Sequence, residues 1–363
     1  MKILVFGGTG TMGRYLVDYL SSDEENEVFI TSRSPHTSKQ GNIHYVIGNA
    51  HDKTFLSQLM SHESMWDAIV DFMIYSTEEF ADRRDLLLNC TRQYILLSSS
   101  RVYADSDIPI TENSGRLIDV LDDPEFLSSD KYAISKAREE NLLRESGKNN
   151  WTIIRPYITY SNVRFQLGVY EKEDWLYRII HGRSIVFSRD ISEKMTSFTF
   201  GGDVSRGIAA IIGKDSALGE VYHITCDSSV KWDDVLQIYI DVLSDAGYTV
   251  SVVYAERASE ITSQDEKIKY DRLYNRVFDN TKISQYVDTK GFIDQREGIR
   301  RCLSQFIANP SFKAINWVTQ ARMDRYTGEN AKLSEIYSFR DKIKYVLLRY
   351  LIDYNFLKKL KII

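Results

Sequence analysis

Short apolar runs alternate, through the first half of the chain, with stretches whose apolar residues recur every three or four positions. Residues 2–6, 27–32, 43–47, 68–72, 94–98 and 152–154 read as strands. They are short, near-continuous in hydrophobicity and bounded by glycine or polar residues, the signature of strands buried on both faces. Residues 13–20 and 131–145 read as helices, the second ended by Gly147. The rhythm predicts an α/β fold built on a doubly wound parallel sheet.

The pattern loosens after Arg155-Pro156. Residues 175–180 read as helix, 184–187 as extended, 203–212 as a helix returning to the sheet, 219–225 as a strand, 232–246 as a helix and 249–254 as a strand. Charged residues 255–270 suit a loop or short helix. Residues 315–363 are rich in aromatics and lysines and end Phe356-Leu357-Lys358-Lys359-Leu360-Lys361-Ile362-Ile363. Two readings stand for this segment: a helix packed on its own domain or a second subunit, or an amphipathic helix resting weakly on an anionic membrane surface.

Composition narrows the function classes. The chain has 363 residues, enough for a large core and two lobes. A net charge of −5 supplies no broad phosphate-neutralising face, so a general nucleic-acid binder is not expected. Cys90, Cys226 and Cys302 are odd in number and far apart, which points to a reducing cytoplasm rather than a disulfide framework. The six histidines never fall at metal-ligand spacing, and no metal is assigned. No apolar run approaches the roughly 18 residues of a membrane span.

The chemistry begins at the first strand, which breaks into Gly7-Gly8-Thr9-Gly10-Thr11-Met12-Gly13 and then a helix. Bare backbone amides and a positive helix N-terminus there can seat a pyrophosphate, so this is a candidate dinucleotide site; a tight turn in another doubly wound protein is the plainer alternative. After the second strand come Ser32 and Arg33, where an NAD site carries a carboxylate for the ribose hydroxyls. An arginine suits the 2′-phosphate of NADP instead, with NAD still open and a solvent-facing arginine as the bland reading. Tyr132 and Lys136 lie one turn apart on the 131–145 helix. A cation beside a tyrosine favours the phenolate, which makes this pair a plausible acid-base device. Leu96-Leu97-Ser98-Ser99-Ser100 ends a buried strand in hydroxyls at the sheet edge where such folds bind ligands.

Taken in order, these motifs make residues 1–310 similar to the extended short-chain dehydrogenase/reductase family, in particular its nucleotide-sugar epimerases, dehydratases and reductases. Further echoes are Pro109-Ile110-Thr111-Glu112, Arg155-Pro156 with Tyr160, Phe198 to Val204, Gly219 to Tyr222, and Asp279-Asn280-Thr281-Lys282. The resemblance implies a Rossmann-type domain over 1–165, with 196–225 returning to it, a smaller α/β substrate-binding lobe from 166–195 and 226–310, and a helical extension over 311–363. It implies Ser99, Tyr132 and Lys136 as the catalytic set. Cofactor contacts would come from Gly7, Thr9, Gly10, Thr11, Met12, Gly13, Ser32, Arg33, Asn49, Tyr132 and Lys136. A homodimer is also implied.

The departures refine the expectation. Asn49 replaces the family's acidic residue, and Asp71-Phe72-Met73 replaces a small-residue motif. Ile158 and Thr196 stand where substrate-gripping asparagine and arginine are usual, so the nucleotide half of the substrate is open. Ser100 and Arg101 occupy the places of the dehydratases' Asp-Glu pair, and decarboxylases want that glutamate too. Epimerisation or ketone reduction of a sugar, nucleotide-activated, survives. The competing class is a non-catalytic NAD(P)-binding relative acting as sensor, scaffold or RNA-binding module.

Overall fold

The computed structural model describes residues 1–62 and 65–351, so the final residues read above as an apolar, basic end lie outside the described part. The chain divides into two compact units: 1–161 with 197–229 and 277–295, and 162–196 with 230–276 and 296 onward.

The first unit is a parallel sheet of seven strands. Its elements are β1 (Lys2–Phe6), α1 (Thr11–Ser21), β2 (Glu27–Ser32), β3 (Ile43–Ile47), α2 (Lys53–His62), β4 (Trp66–Asp71), α3 (Thr77–Asn89), β5 (Thr91–Leu97), α4 (Tyr132–Arg144), β6 (Trp151–Pro156), α5 (Gly201–Ile211) and β7 (Glu220–Ile224). The spatial order β7-β6-β5-β4-β1-β2-β3 reverses between β4 and β1, the switch point of a doubly wound sheet. Alternate residues of each strand feed opposite cores. Ile3, Val5, Val28, Ile30 and Ile95 pack against Leu16, Val17 and Leu20 of α1 and Val204, Ile208 and Ile211 of α5. Leu4, Phe6, Ile69, Tyr94 and Leu96 face Leu56 and Met60 of α2, Phe80 and Leu87 of α3 and Leu143 of α4. Burial on both faces explains why the strands read as unbroken apolar runs.

Several of the motif echoes tie the later segments to this sheet. The Asn280 amide carbonyl accepts from the Thr225 N–H (3.3 Å) and hydroxyl (3.1 Å), and its NH2 donates to the Thr225 carbonyl at 2.8 Å. Asp203 accepts the Ile293 N–H at 2.8 Å, and Glu112 the His223 N–H at 3.2 Å.

In the second unit, helices Lys172–Ile180, Trp232–Asp245 and Trp317–Thr327 accompany two short parallel strands, Ile185–Ser188 and Val252–Ala255. Asp324, fully buried, accepts from Arg178 (2.6 Å), Arg183 (2.9 Å) and the Tyr345 hydroxyl (2.6 Å). No helix among the described residues is long and apolar enough to cross a membrane.

Candidate active site

The carboxyl ends of β1, β2, β3 and β5 and the start of α4 carry the predicted residues, all within the first unit. Gly7 turns the chain out of β1 with φ +73°, which a side chain would strain. The Gly10 N–H closes the turn on the Gly7 carbonyl at 2.9 Å. A Cβ on Gly13 would sit 2.5 Å from that carbonyl oxygen and 2.6 Å from the Gly8 Cα, both backbone atoms with no room to yield. Gly10 caps α1 without a side chain, and the first turn holds no acidic residue. The open N-terminal amides therefore face a cradle that suits a diphosphate, and Thr9 and Gly10 are exposed at its rim. Thr11 and Met12 are half-buried behind them.

Ser32 is buried, its hydroxyl accepting the Ser34 N–H at 3.3 Å, while Arg33 is exposed and pairs with no carboxylate among the described residues. Nothing acidic stands where an NAD site would place a carboxylate. Asn49 is exposed after β3, and its side chain accepts the His51 N–H at 3.2 Å.

The three hydroxyls after β5 have separate employments. Ser98 donates to Glu140 at 2.6 Å and Ser100 to the Arg155 carbonyl at 2.7 Å. Ser99 caps a short turn by accepting the Arg101 N–H at 3.2 Å, and its own proton finds no acceptor among the described residues. The Arg101 guanidinium lies 5.3 Å from the centre of the Tyr132 ring, so the serine turn and the start of α4 adjoin. Tyr132 opens α4 with 37% of its surface exposed.

Lys136, one turn further, is almost wholly buried. Its ammonium donates to Glu139 at 2.8 Å and to the Met73 carbonyl at 3.4 Å, leaving one of three N–H bonds uncommitted by these contacts. Ser135 donates to Glu139 and to the Tyr75 carbonyl, at 3.4 and 3.1 Å. Asp71, at the end of β4, accepts from the Met73 N–H (2.9 Å), Tyr94 (2.8 Å) and Tyr75 (3.0 Å). Burial pushes the Asp71 carboxyl up despite these donors and Lys136. Burial also lifts Glu139, to about 7; the Lys136 ammonium opposes the rise and Asp71 adds to it.

Sequence reasoning missed Glu139 and saw Asp71 only as a departure from a small-residue motif. Signals for both are present. Asp71 ends a strand buried on both faces, where a carboxylate needs partners, and Glu139 follows Lys136 by three positions, the spacing at which a lysine and a glutamate on one helix can pair.

The fold is shared with solved enzymes. The epimerase Mth375 of Methanothermobacter thermautotrophicus superposes with a TM-score of 0.63 at 18% identity, over 85% of this chain and 92% of that one. UDP-glucuronic acid 4-epimerase from Bacillus cereus, solved with UDP-glucuronic acid and NAD, gives 0.64 at 16%, over 85% and 100%. DesIV, a dTDP-glucose 4,6-dehydratase from Streptomyces venezuelae solved with NAD, gives 0.62 at 21%, over 85% and 98%. No curated protein sequence matches. The family model described as "NAD dependent epimerase/dehydratase family" matches residues 3–225, from the first strand through β7 and so across the glycine turn, the serine strand and α4. The chain belongs to the NAD-dependent epimerase/dehydratase family and is an enzyme of the extended short-chain dehydrogenase/reductase type.

Proposed function

We propose that the protein is an epimerase or ketoreductase of a nucleotide-activated sugar, working with Ser99, Tyr132 and Lys136. The observation that supports this reading is the Arg101 guanidinium, which follows Ser99 by two residues and lies 5.3 Å from the centre of the Tyr132 ring, so that the serine turn adjoins the start of α4. The bound nicotinamide would supply hydride exchange with the sugar carbon. Tyr132 passes the proton of the reacting hydroxyl, and Ser99 donates a hydrogen bond to the same oxygen. Lys136 offers its remaining N–H to the nicotinamide ribose. Arg101 stands where a dehydratase carries an acid to protonate a leaving hydroxyl. The protein is further read as a cytoplasmic homodimer.

NADP is the expected cofactor, since Arg33 is free to pair with a 2′-phosphate. A charge-assisted contact of that kind contributes about 1.5–3 kcal/mol, so calorimetry should find NADP bound roughly tenfold or more tighter than NAD, with the preference lost in Arg33→Ala. The deciding experiment for the reaction screens nucleotide sugars by thermal shift with NADP present, then follows hydride transfer by nicotinamide absorbance in a single turnover. Tyr132→Phe should keep fold and cofactor while losing about a hundred- to ten-thousandfold in rate. A variant running within a few-fold of wild type would overturn the proton-transfer role.

A further inference from the structure

The strongest feature outside the site is the end of the second unit. Six large apolar side chains lie exposed within nineteen residues: Leu333 (49%), Tyr337 (98%), Phe339 (77%), Ile343 (46%), Tyr350 (55%) and Leu351 (71%). Isolated exposed hydrophobics are ordinary, whereas a cluster of this density marks an interaction surface.

The segment is not an inward-facing helix caught facing out, because its other side is already docked. Ile336, Tyr345 and Leu348 are buried with Trp317, Ala321, Ala331 and Tyr177. Tyr345 is fixed by two hydrogen bonds, donating to Asp324 at 2.6 Å and accepting from the Ala331 N–H at 2.7 Å. Arg325 reaches the Leu348 carbonyl at 3.3 Å, and Arg349 the Glu329 carbonyl at 2.9 Å. Helix Phe339–Val346 and the wider turn Leu347–Leu351 after it therefore carry two apolar faces, one spent on the core and one turned outward.

Charge says what covers the outward face. Phe339, Ile343 and Tyr350 recur at near-helical spacing, and on a helix of 3.6 residues per turn Arg340 and Lys344 fall to one side of that stripe and Lys342 and Arg349 to the other. Arg340, Lys342 and Lys344 form no ion pair or hydrogen bond through their side chains among the described residues. Residues 332–351 hold five lysines and arginines against Glu335 and Asp341, in a chain whose net charge is −5. An apolar stripe between two basic margins is the pattern of a helix lying in a headgroup layer, with aromatic side chains at the interface. A second copy laid face to face would bring these margins against themselves. The chain's own last residues, with Lys358, Lys359 and Lys361 against Asp353, are basic as well.

We propose that residues 333–351 form a peripheral docking surface for an anionic lipid bilayer, with the apolar stripe seated among the headgroups and Arg340, Lys342, Lys344 and Arg349 paired with lipid phosphates. Each basic residue near such a surface contributes roughly fivefold in affinity, and the contact weakens with salt.

Flotation of the full-length protein with vesicles tests this. It should rise with vesicles of phosphatidylcholine containing 30% phosphatidylglycerol, and stay at the bottom with phosphatidylcholine alone or at high salt. Lys342→Glu combined with Lys344→Glu should lower binding to the anionic vesicles by on the order of tenfold or more. Tyr337→Ser combined with Phe339→Ser, both at exposed positions, should abolish it while thermal unfolding and dinucleotide binding stay at wild-type values. Absence of flotation, equal flotation with neutral vesicles, or a concentration-dependent dimer that Phe339→Ser disperses without any lipid binding would each overturn the proposal, the last in favour of a second copy.

Discussion

Two neighbouring glutamates on one buried helix, Glu139 and Glu140, meet opposite electrostatic fates. Burial would raise both. Around Glu140 it is outweighed: Arg155 approaches with two N–H bonds at 2.8 and 2.6 Å, Ser98 donates at 2.6 Å and Arg116 at 3.2 Å, and the carboxyl stays below its ordinary range. Around Glu139 there is one ammonium for two carboxylates, since Lys136 must also answer Asp71. Its proton therefore leaves near pH 7. The first pair fastens α4 to β6; the second places a carboxyl that titrates near neutrality against the proposed catalytic lysine. Burial pushes both carboxyls up, and the number of donors around each decides whether that push prevails.

The largest effect should come from breaking the first pair. Glu140→Gln leaves Arg155 buried without its counter-charge, a loss of about 3–5 kcal/mol that denaturant unfolding will read. Glu139→Gln leaves Asp71 and Lys136 in one-to-one balance, and at pH 5, where Glu139 itself is protonated in the folded protein, it should change stability by about 1 kcal/mol or less. Equal losses in the two variants would show that charge balance does not separate the sites.

The second test is pH. Glu139 binds its proton more tightly folded than unfolded, so its contribution is fully present below its ordinary pKa of 4.5 and is lost as pH rises through about 7. At 1.36 kcal/mol per unit the loss is at most on the order of 3 kcal/mol. Unfolding free energies of wild type and Glu139→Gln should diverge in slope between pH 5 and 8 and run parallel above it. A wild-type slope unchanged by Glu139→Gln would place the titration elsewhere. In the enzyme assay the same substitution should remove an inflection near pH 7 while sparing the requirement for Tyr132.

The sheet and the glycine turn were legible in the sequence because their physics is local. An unbroken apolar run followed by glycines at 7, 10 and 13 leaves little choice of backbone, and Gly13 is fixed by the closeness of two backbone segments. Helix α3 was harder to see: Thr77-Glu78-Glu79-Phe80-Ala81-Asp82-Arg83-Arg84-Asp85 shows almost no apolar stripe, and Arg83 is buried through hydrogen bonds to the Ala50 and Glu79 carbonyls and to the Glu79 carboxylate. The carboxylates around Lys136 were illegible for a different reason. Asp71 comes from β4 and Glu139 from α4, and nothing in a linear pattern says that one ammonium will serve both. The same limit hid the division of labour among the three serines.

That division supplies the finest test. Ser98 and Ser99 are adjacent and both buried, yet Ser98 spends its proton on a charged carboxylate whereas Ser99 holds its own in reserve. Ser98→Ala should cost about 1.5 kcal/mol in unfolding free energy, the value of a hydrogen bond to a charged group, and leave turnover within a few-fold. Ser99→Ala removes only a cap on a three-residue turn, about 0.5 kcal/mol, but takes away the hydroxyl assigned to the reacting oxygen. Its turnover should fall by more than tenfold with cofactor affinity unchanged. Measured together by chemical denaturation and single-turnover absorbance, the two variants should exchange rank between stability and rate. If Ser98→Ala is instead the slower enzyme, the reacting oxygen is held by the Ser98 and Glu140 side of α4, and the acid-base site lies one residue earlier along β5 than Ser99 places it.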